Sequence, residues 1–209
     1  MNRITAHLTI AALAFTLFIA PSLAADKATT AAEYAQNLAP LIDPAKLATL
    51  GKRGANTRIE KAVYWISTAE ANGASPAQVT ETALKALGMK GEAAALTKQA
   101  LLRNVDIASK LGCLDTEGLA AMRWGNAPTV RRGPYAGDKL SVDHIIPRAV
   151  CPELDKVIAN LELMPLRMNE SKNDKIGARQ IDLAKKLHSA GLLSAEGKQK
   201  IDSHPQSQH

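Results

Sequence analysis

The chain has 209 residues, a net charge of +6 and a pI of about 9.4, enough length for one domain, or a compact module with a helical annex, that buries its own core. Aromatic residues make up only 3%, so Ala, Leu, Ile and Val must fill the interior, which favours packed helices over a large sheet. Two cysteines are too few for a zinc knuckle, and the mild positive charge suits a polyanionic partner without requiring one.

In chain order, Arg3 precedes an uncharged apolar run, Leu8 to Ala20, and Pro21-Ser22-Leu23-Ala24 supplies the small residues a signal peptidase needs. The run is shorter than the roughly 20 apolar residues of a spanning helix and ends in Pro21. Residues 1–24 are therefore expected to be a cleaved signal peptide, leaving a periplasmic or secreted chain that begins at Ala25. An uncleaved segment that tethers the chain to a membrane is the alternative.

Residues 25–125 are expected to be helical. Ile59, Val63 and Ile66 make one apolar stripe, capped by Asn56 or Thr57 and ended by Asn72-Gly73. Ser75-Pro76 starts a second helix, striped by Val79, Ala83 and Leu87 and stopped at Gly88. A third runs from about Glu92 to Leu111, with Leu101, Val105 and Ala108 inward and Gly112 as its stop, and a shorter one follows Asp115. Residues 126–137, with Pro128, Gly133, Pro134, Gly137 and Arg131-Arg132, form a basic connector.

Leu140 and Val142 alternate with polar neighbours before Ile145-Ile146-Pro147, and Leu161 and Leu163 do so before Pro165, so two short strands are expected. Helix is expected again from Ser171, with Ile181, Ala184 and Leu187 on one side and Gly191 as its stop, ahead of a polar, disordered tail over residues 203–209. The expected fold class is α+β, mainly α: a helical N-terminal half, a small two-strand module over residues 126–202, and a C-terminal helix.

The chemistry sits in Asp143-His144-Ile145-Ile146-Pro147, Asn160-Leu161-Glu162-Leu163 and Asn169-Glu170-Ser171-Lys172. Neighbours on a strand leave on opposite sides, so Asp143 can hold a cation while His144 faces a water molecule. Asn169 follows the second strand and can fold back towards Asp143. A carboxylate and an amide oxygen make a hard, incomplete shell suited to one divalent ion, Mg²⁺ or Mn²⁺. Imidazole exchanges protons near neutrality, as a base for an attacking water must. Lys172 can steady a phosphate, with Arg131, Arg132, Lys139, Arg148 and Arg167 further out.

These residues, in this order, resemble the HNH endonuclease family, and strand, loop, strand and helix match its ββα-metal fold. Asn169-x-x-Lys172-Asn173-Asp174 is similar to the HNH domains of RNA-guided nucleases. The resemblance covers roughly residues 130–176. It implies that Asp143 and Asn169 ligate metal, that His144 is the general base, and that Asn160 braces the loop behind His144. Many relatives carry histidine where Asn169 stands, and the weaker amide ligand points to Mg²⁺ rather than Zn²⁺ or Ni²⁺. Relatives stapled by paired Cys-x-x-Cys sites have no counterpart here, which implies a supporting role for residues 30–125.

The expected activity is an exported, metal-dependent endonuclease acting on DNA and, as a second substrate, RNA. Little sequence specificity is expected, since no zinc finger, helix-turn-helix signature or long basic helix is present. The competing reading is a catalytically inactive HNH-fold module that binds nucleic acid or an envelope protein. Cys113 and Cys151 can form a disulfide in an exported chain or remain as two thiols, and the sequence leaves both open. By default, Tyr64 and Trp65 pack in the core or form a partner surface, Glu162 is exposed on an edge strand, and His188, His204 and His209 have no catalytic part.

Overall fold

The structure, a computed structural model, describes residues 23–48, 54–172 and 174–205. Most of the expected leader, residues 1–22, and residues 206–209 of the expected tail lie outside these. The fold is α+β and mainly helical. Helices α1 (Leu23–Ile42), α2 (Pro44–Ala48), α3 (Gly54–Ala71), α4 (Pro76–Ala86), α5 (Gly91–Lys110) and α6 (Thr116–Arg123) form the first half. Strands β1 (Leu140–His144) and β2 (Leu161–Pro165) follow, then α7 (Leu166–Ser171), α8 (Ala178–Ser189) and α9 (Ala195–Ser203). None of the described helices is long and apolar enough to cross a membrane.

The helix limits follow from local chemistry. Ser75 Oγ accepts from the Gln78 amide and Pro76 takes the first position of α4, where its missing N–H costs nothing. Asp115 Oδ1 accepts from the Gly118 amide at 2.7 Å to start α6. At the end of α5, Gly112 turns with φ +70°, in a spot where a Cβ would press on the side chains of Arg131 and Arg132. Helix α3 begins at Gly54, so Asn56 and Thr57 lie inside its first turn rather than capping it.

Strands β1 and β2 pair antiparallel, with Val142 opposite Leu163, Asp143 opposite Glu162 and His144 opposite Leu161. One face turns Leu140, Val142, Leu161 and Leu163 into the same apolar core as Ile66, Leu101 and Met122 of the helices. Each fully buried leucine there contributes about 1.5–3 kcal/mol. Helix α5 also completes the sheet with a side chain. The buried Asn104 donates from Nδ2 to the Leu161 carbonyl at 3.1 Å and accepts at Oδ1 from the Leu163 amide at 2.8 Å. An amide side chain thus takes the place of a third strand along β2 and satisfies the Leu163 amide, which burial would otherwise leave unpaired.

A second apolar cluster joins the loop between the strands to the last two helices. It contains Ile146, Cys151, Leu154, Ile176, Ala184, Leu187, Leu193 and Ile201. The cysteines fall in different clusters, Cys113 in the first and Cys151 in the second, and both are buried free thiols. The disulfide that their even number permits is therefore not made. Burial pushes the Cys113 thiol up to about 11, helped by the Asp115 carboxylate.

The end of the chain differs from expectation. Helix does not run on from Ser171: α7 stops there, Lys172 is extended (φ −75°, ψ 134°), and α8 starts only at Ala178. Between them the fully buried Ile176 draws the chain into the second cluster. Ser203 is the last residue of α9 rather than the start of a tail, and Ser194 Oγ caps that helix by accepting from the Gly197 amide at 2.9 Å.

Candidate functional site

Asp143, His144, Arg148, Asn169 and Lys172 line one pocket of about 210 Å³, together with Pro147 and Asp174. A larger cavity of about 410 Å³ lies beside the Pro152–Leu154 turn, but its wall is mostly apolar, with Ile42, Met89, Ile158 and Leu192. The smaller pocket is the one that brings Asp143, His144, Asn169 and Lys172 together.

His144 ends β1, and its Nε2 lies 2.9 Å from the Asp155 carbonyl and 3.2 Å from Asp155 Oδ1. A carbonyl can only accept, so this contact places the ring proton on Nε2 and leaves Nδ1 as the nitrogen able to take a proton. Asp155 also has Arg148 Nη1 at 3.8 Å from Oδ1. Its part was not legible in the sequence, because a main-chain carbonyl is a group any residue supplies.

Behind His144 the chain is fixed by Asn160, which is fully buried. Its Oδ1 accepts from the Ile146 amide at 2.8 Å, its Nδ2 donates to the Ile146 carbonyl at 3.0 Å, and its own carbonyl accepts from the Ile145 amide at 2.8 Å. The two residues after the histidine are thus held from one side chain and one carbonyl.

On the other face of β1, Ser141 and Asp143 lie two positions apart and so project together. The Ser141 hydroxyl donates to the Met164 carbonyl at 3.0 Å and accepts from Asn169 Nδ2 at 3.2 Å. That chain of bonds orients the amide. Its nitrogen turns to Ser141, and its oxygen is the end left for a cation. Ser141 is a positioning residue that the sequence did not single out. Asn169 belongs to the six-residue α7.

Lys172 lies just beyond that helix, as its C-terminal cap. Its ammonium pairs with Asp143 Oδ2 and donates to the His144 carbonyl at 2.8 Å. Across the register, Glu162 is buried rather than exposed, and Arg179 of α8 grips it with Nη1 at 2.9 Å and Nη2 at 2.5 Å. These bonds raise Arg179 above its ordinary pKa against the opposing effect of burial. Two facing carboxylates are thus each matched by one cation. Arg103 on α5 donates to the Leu161 carbonyl at 3.2 Å, and burial lowers its pKa while Glu162 counters this.

Arg131, Arg167 and Lys139 are more committed than their sequence positions imply. Arg131 pairs with Asp115 at 3.0 Å and with Glu117. Arg167 pairs with Asp138 at 3.5 Å and lies over the Tyr135 ring, while Lys139 donates to Thr129 Oγ1 at 3.1 Å. His188 meets the carbonyl of Leu193, a residue of the second cluster, through Nδ1 at 3.0 Å, and His204 lies at the end of α9. Tyr64 and Trp65 stack edge to face, and Trp65 also meets Tyr34. His209 lies outside the described residues.

The donors fit a small hard cation: one carboxylate oxygen from Asp143 and one oriented amide oxygen from Asn169, beside a pocket large enough for water and phosphate oxygens. Comparison with protein-family models, with curated proteins and with solved structures finds no match to this chain.

Proposed function

We propose that the chain is an exported, metal-dependent HNH endonuclease that hydrolyses phosphodiester bonds in DNA, and in RNA as a second substrate, with little sequence specificity. The observation that carries this reading is the Asp155 carbonyl on His144 Nε2, which leaves Nδ1 as a base in the pocket that also holds Asp143 and Asn169. Asp143 and Asn169 would hold one divalent ion, Mg²⁺ or Mn²⁺, which supplies charge stabilisation at the phosphate and the departing 3′ oxygen. His144 Nδ1 takes a proton from the attacking water as its oxygen bonds to phosphorus and the bond to the 3′ oxygen breaks. Asp155 steadies the imidazolium that results, and Asn160 keeps the turn behind it from shifting. Arg148, whose side chain is 56% exposed, is the pocket cation best placed to meet a phosphate from solvent.

One observation favours the competing reading, a catalytically inactive HNH-fold module that binds nucleic acid or an envelope protein: Lys172 already neutralises Asp143. Cleavage of plasmid and single-stranded DNA with and without Mg²⁺ or Mn²⁺, comparing wild type with His144→Ala, separates the two. Metal-dependent cutting that falls by roughly 10² or more in the variant supports the nuclease. A wild-type chain that cuts neither substrate with any metal supports the binding module. DNA binding itself should weaken steeply with salt if phosphate contacts dominate it.

A further inference from the structure

We propose that Lys172 is a built-in counter-cation with two stations: it holds the Asp143 carboxylate in the metal-free protein, and gives that carboxylate up to a divalent ion to turn towards the substrate phosphate. The proposal rests on the metal-site reading above and adds an internal competitor to it.

Three features of the structure carry it. The Lys172 ammonium is gathered by two oxygens at once, the Asp143 carboxylate and the His144 carbonyl. Both partners are partly sheltered, with side chains 25% and 14% exposed, so their attraction is less screened than on an open surface. A divalent ion on the same carboxylate and the ammonium would repel each other at contact distance, so the two compete.

The cations facing the paired carboxylates also differ in kind. Arg179 grips Glu162 with two parallel bonds from a planar fork, a geometry that resists release. Lys172 is a point charge on a four-carbon stem, carried by an extended residue just past the end of α7. It can swing without unwinding a helix, and it follows Asn169, the other oxygen donor, by three positions. The fixed arginine keeps Glu162 neutralised and in place. The lysine leaves Asp143 able to exchange its cation.

The test is direct binding of Mn²⁺ by calorimetry to the wild-type full chain, Lys172→Met and Asp143→Ala, with circular dichroism as a check on folding. Lys172→Met should bind Mn²⁺ about tenfold more tightly than wild type, the scale of one sheltered ion pair removed, and yet cut DNA more slowly. Acetylation of the wild-type chain with an N-hydroxysuccinimide ester, read by peptide mass, gives a second measure independent of any variant. Modification of Lys172, relative to the exposed Lys90, should rise several-fold on saturation with Mn²⁺. Equal Mn²⁺ affinity in wild type and Lys172→Met, or unchanged Lys172 acetylation at saturation, overturns the proposal. If Asp143→Ala loses Mn²⁺ in that case, the metal site stands without the competitor. Absence of Mn²⁺ binding in both wild type and Lys172→Met removes the competitor and the metal site together.

Discussion

The Asn160 side chain closes a ring on Ile146, accepting from its amide at 2.8 Å and donating to its carbonyl at 3.0 Å. Neither group of Ile146 has water to fall back on, since both residues are fully buried. Asn160→Ala therefore leaves a donor and an acceptor unpaired and should cost roughly 2–4 kcal/mol of stability. Asn160→Asp should also be damaging, because a carboxylate cannot donate to the Ile146 carbonyl. Urea unfolding of both variants measures this; a loss below about 0.5 kcal/mol for Asn160→Ala would mean the turn is held by other contacts.

Asp155 meets His144 twice, by its carbonyl and by its carboxylate. Substitution to alanine removes only the second contact. Asp155→Ala should therefore slow DNA cleavage by roughly tenfold, well short of the roughly 10²-fold or greater loss expected for His144→Ala. Cleavage rates at saturating Mn²⁺ distinguish the two. Equal damage in both variants would transfer the anchoring role from the carbonyl to the carboxylate.

Stability should depend on pH through Glu60, which is 4% exposed on α3 and whose carboxyl burial pushes up from 4.5 to about 7. Its folded value lies above its unfolded one, so the folded state binds the proton more tightly. Its contribution is then fully present below about pH 4.5 and is lost as pH rises through about 7. Glu60→Gln should match wild type near pH 4 and exceed it by roughly 2–4 kcal/mol at pH 8. Thermal unfolding of the two chains across that range checks it; parallel curves would show that Glu60 keeps its charge without penalty.

With both thiols free and buried, iodoacetamide should label the native chain slowly, Cys113 least, because little thiolate forms on a group pushed up to about 11. Denaturation without reductant should then expose both cysteines to labelling. A denatured chain that takes up no label before reduction would show a bridge instead.

Much of this architecture was legible along the chain. Ser75-Pro76, Asp115 and Gly112 are local signals, and the helices obey them. The alternation of Leu140 with Val142, and of Leu161 with Leu163, located both strands. The site residues Asp143, His144, Asn169, Lys172 and Arg148 do line one pocket, with Asn160 behind it. The break between α7 and α8 was not legible, because what interrupts the helix is the burial of Ile176 in a cluster assembled from distant segments. Neither was Asp155, whose carbonyl reaches His144 across a loop, nor the burial of Glu162, which depends on Arg179 arriving from another helix. Local patterning sets elements, while tertiary partners decide which polar groups are sheltered.

The way β2 lies against α5 limits how this protein can be taken apart. Asn104 stands in for a neighbouring strand, and Leu161 and Leu163 share their core with the helices. A fragment cut at residue 125 would carry the pocket residues but lose the amide that lines β2 and the floor beneath the hairpin. The two-strand unit is therefore not a portable cassette that can be grafted onto another scaffold. To travel alone it would need a new residue pairing with the Leu161 carbonyl and Leu163 amide, and a polar resurfacing of the face that α5 now covers.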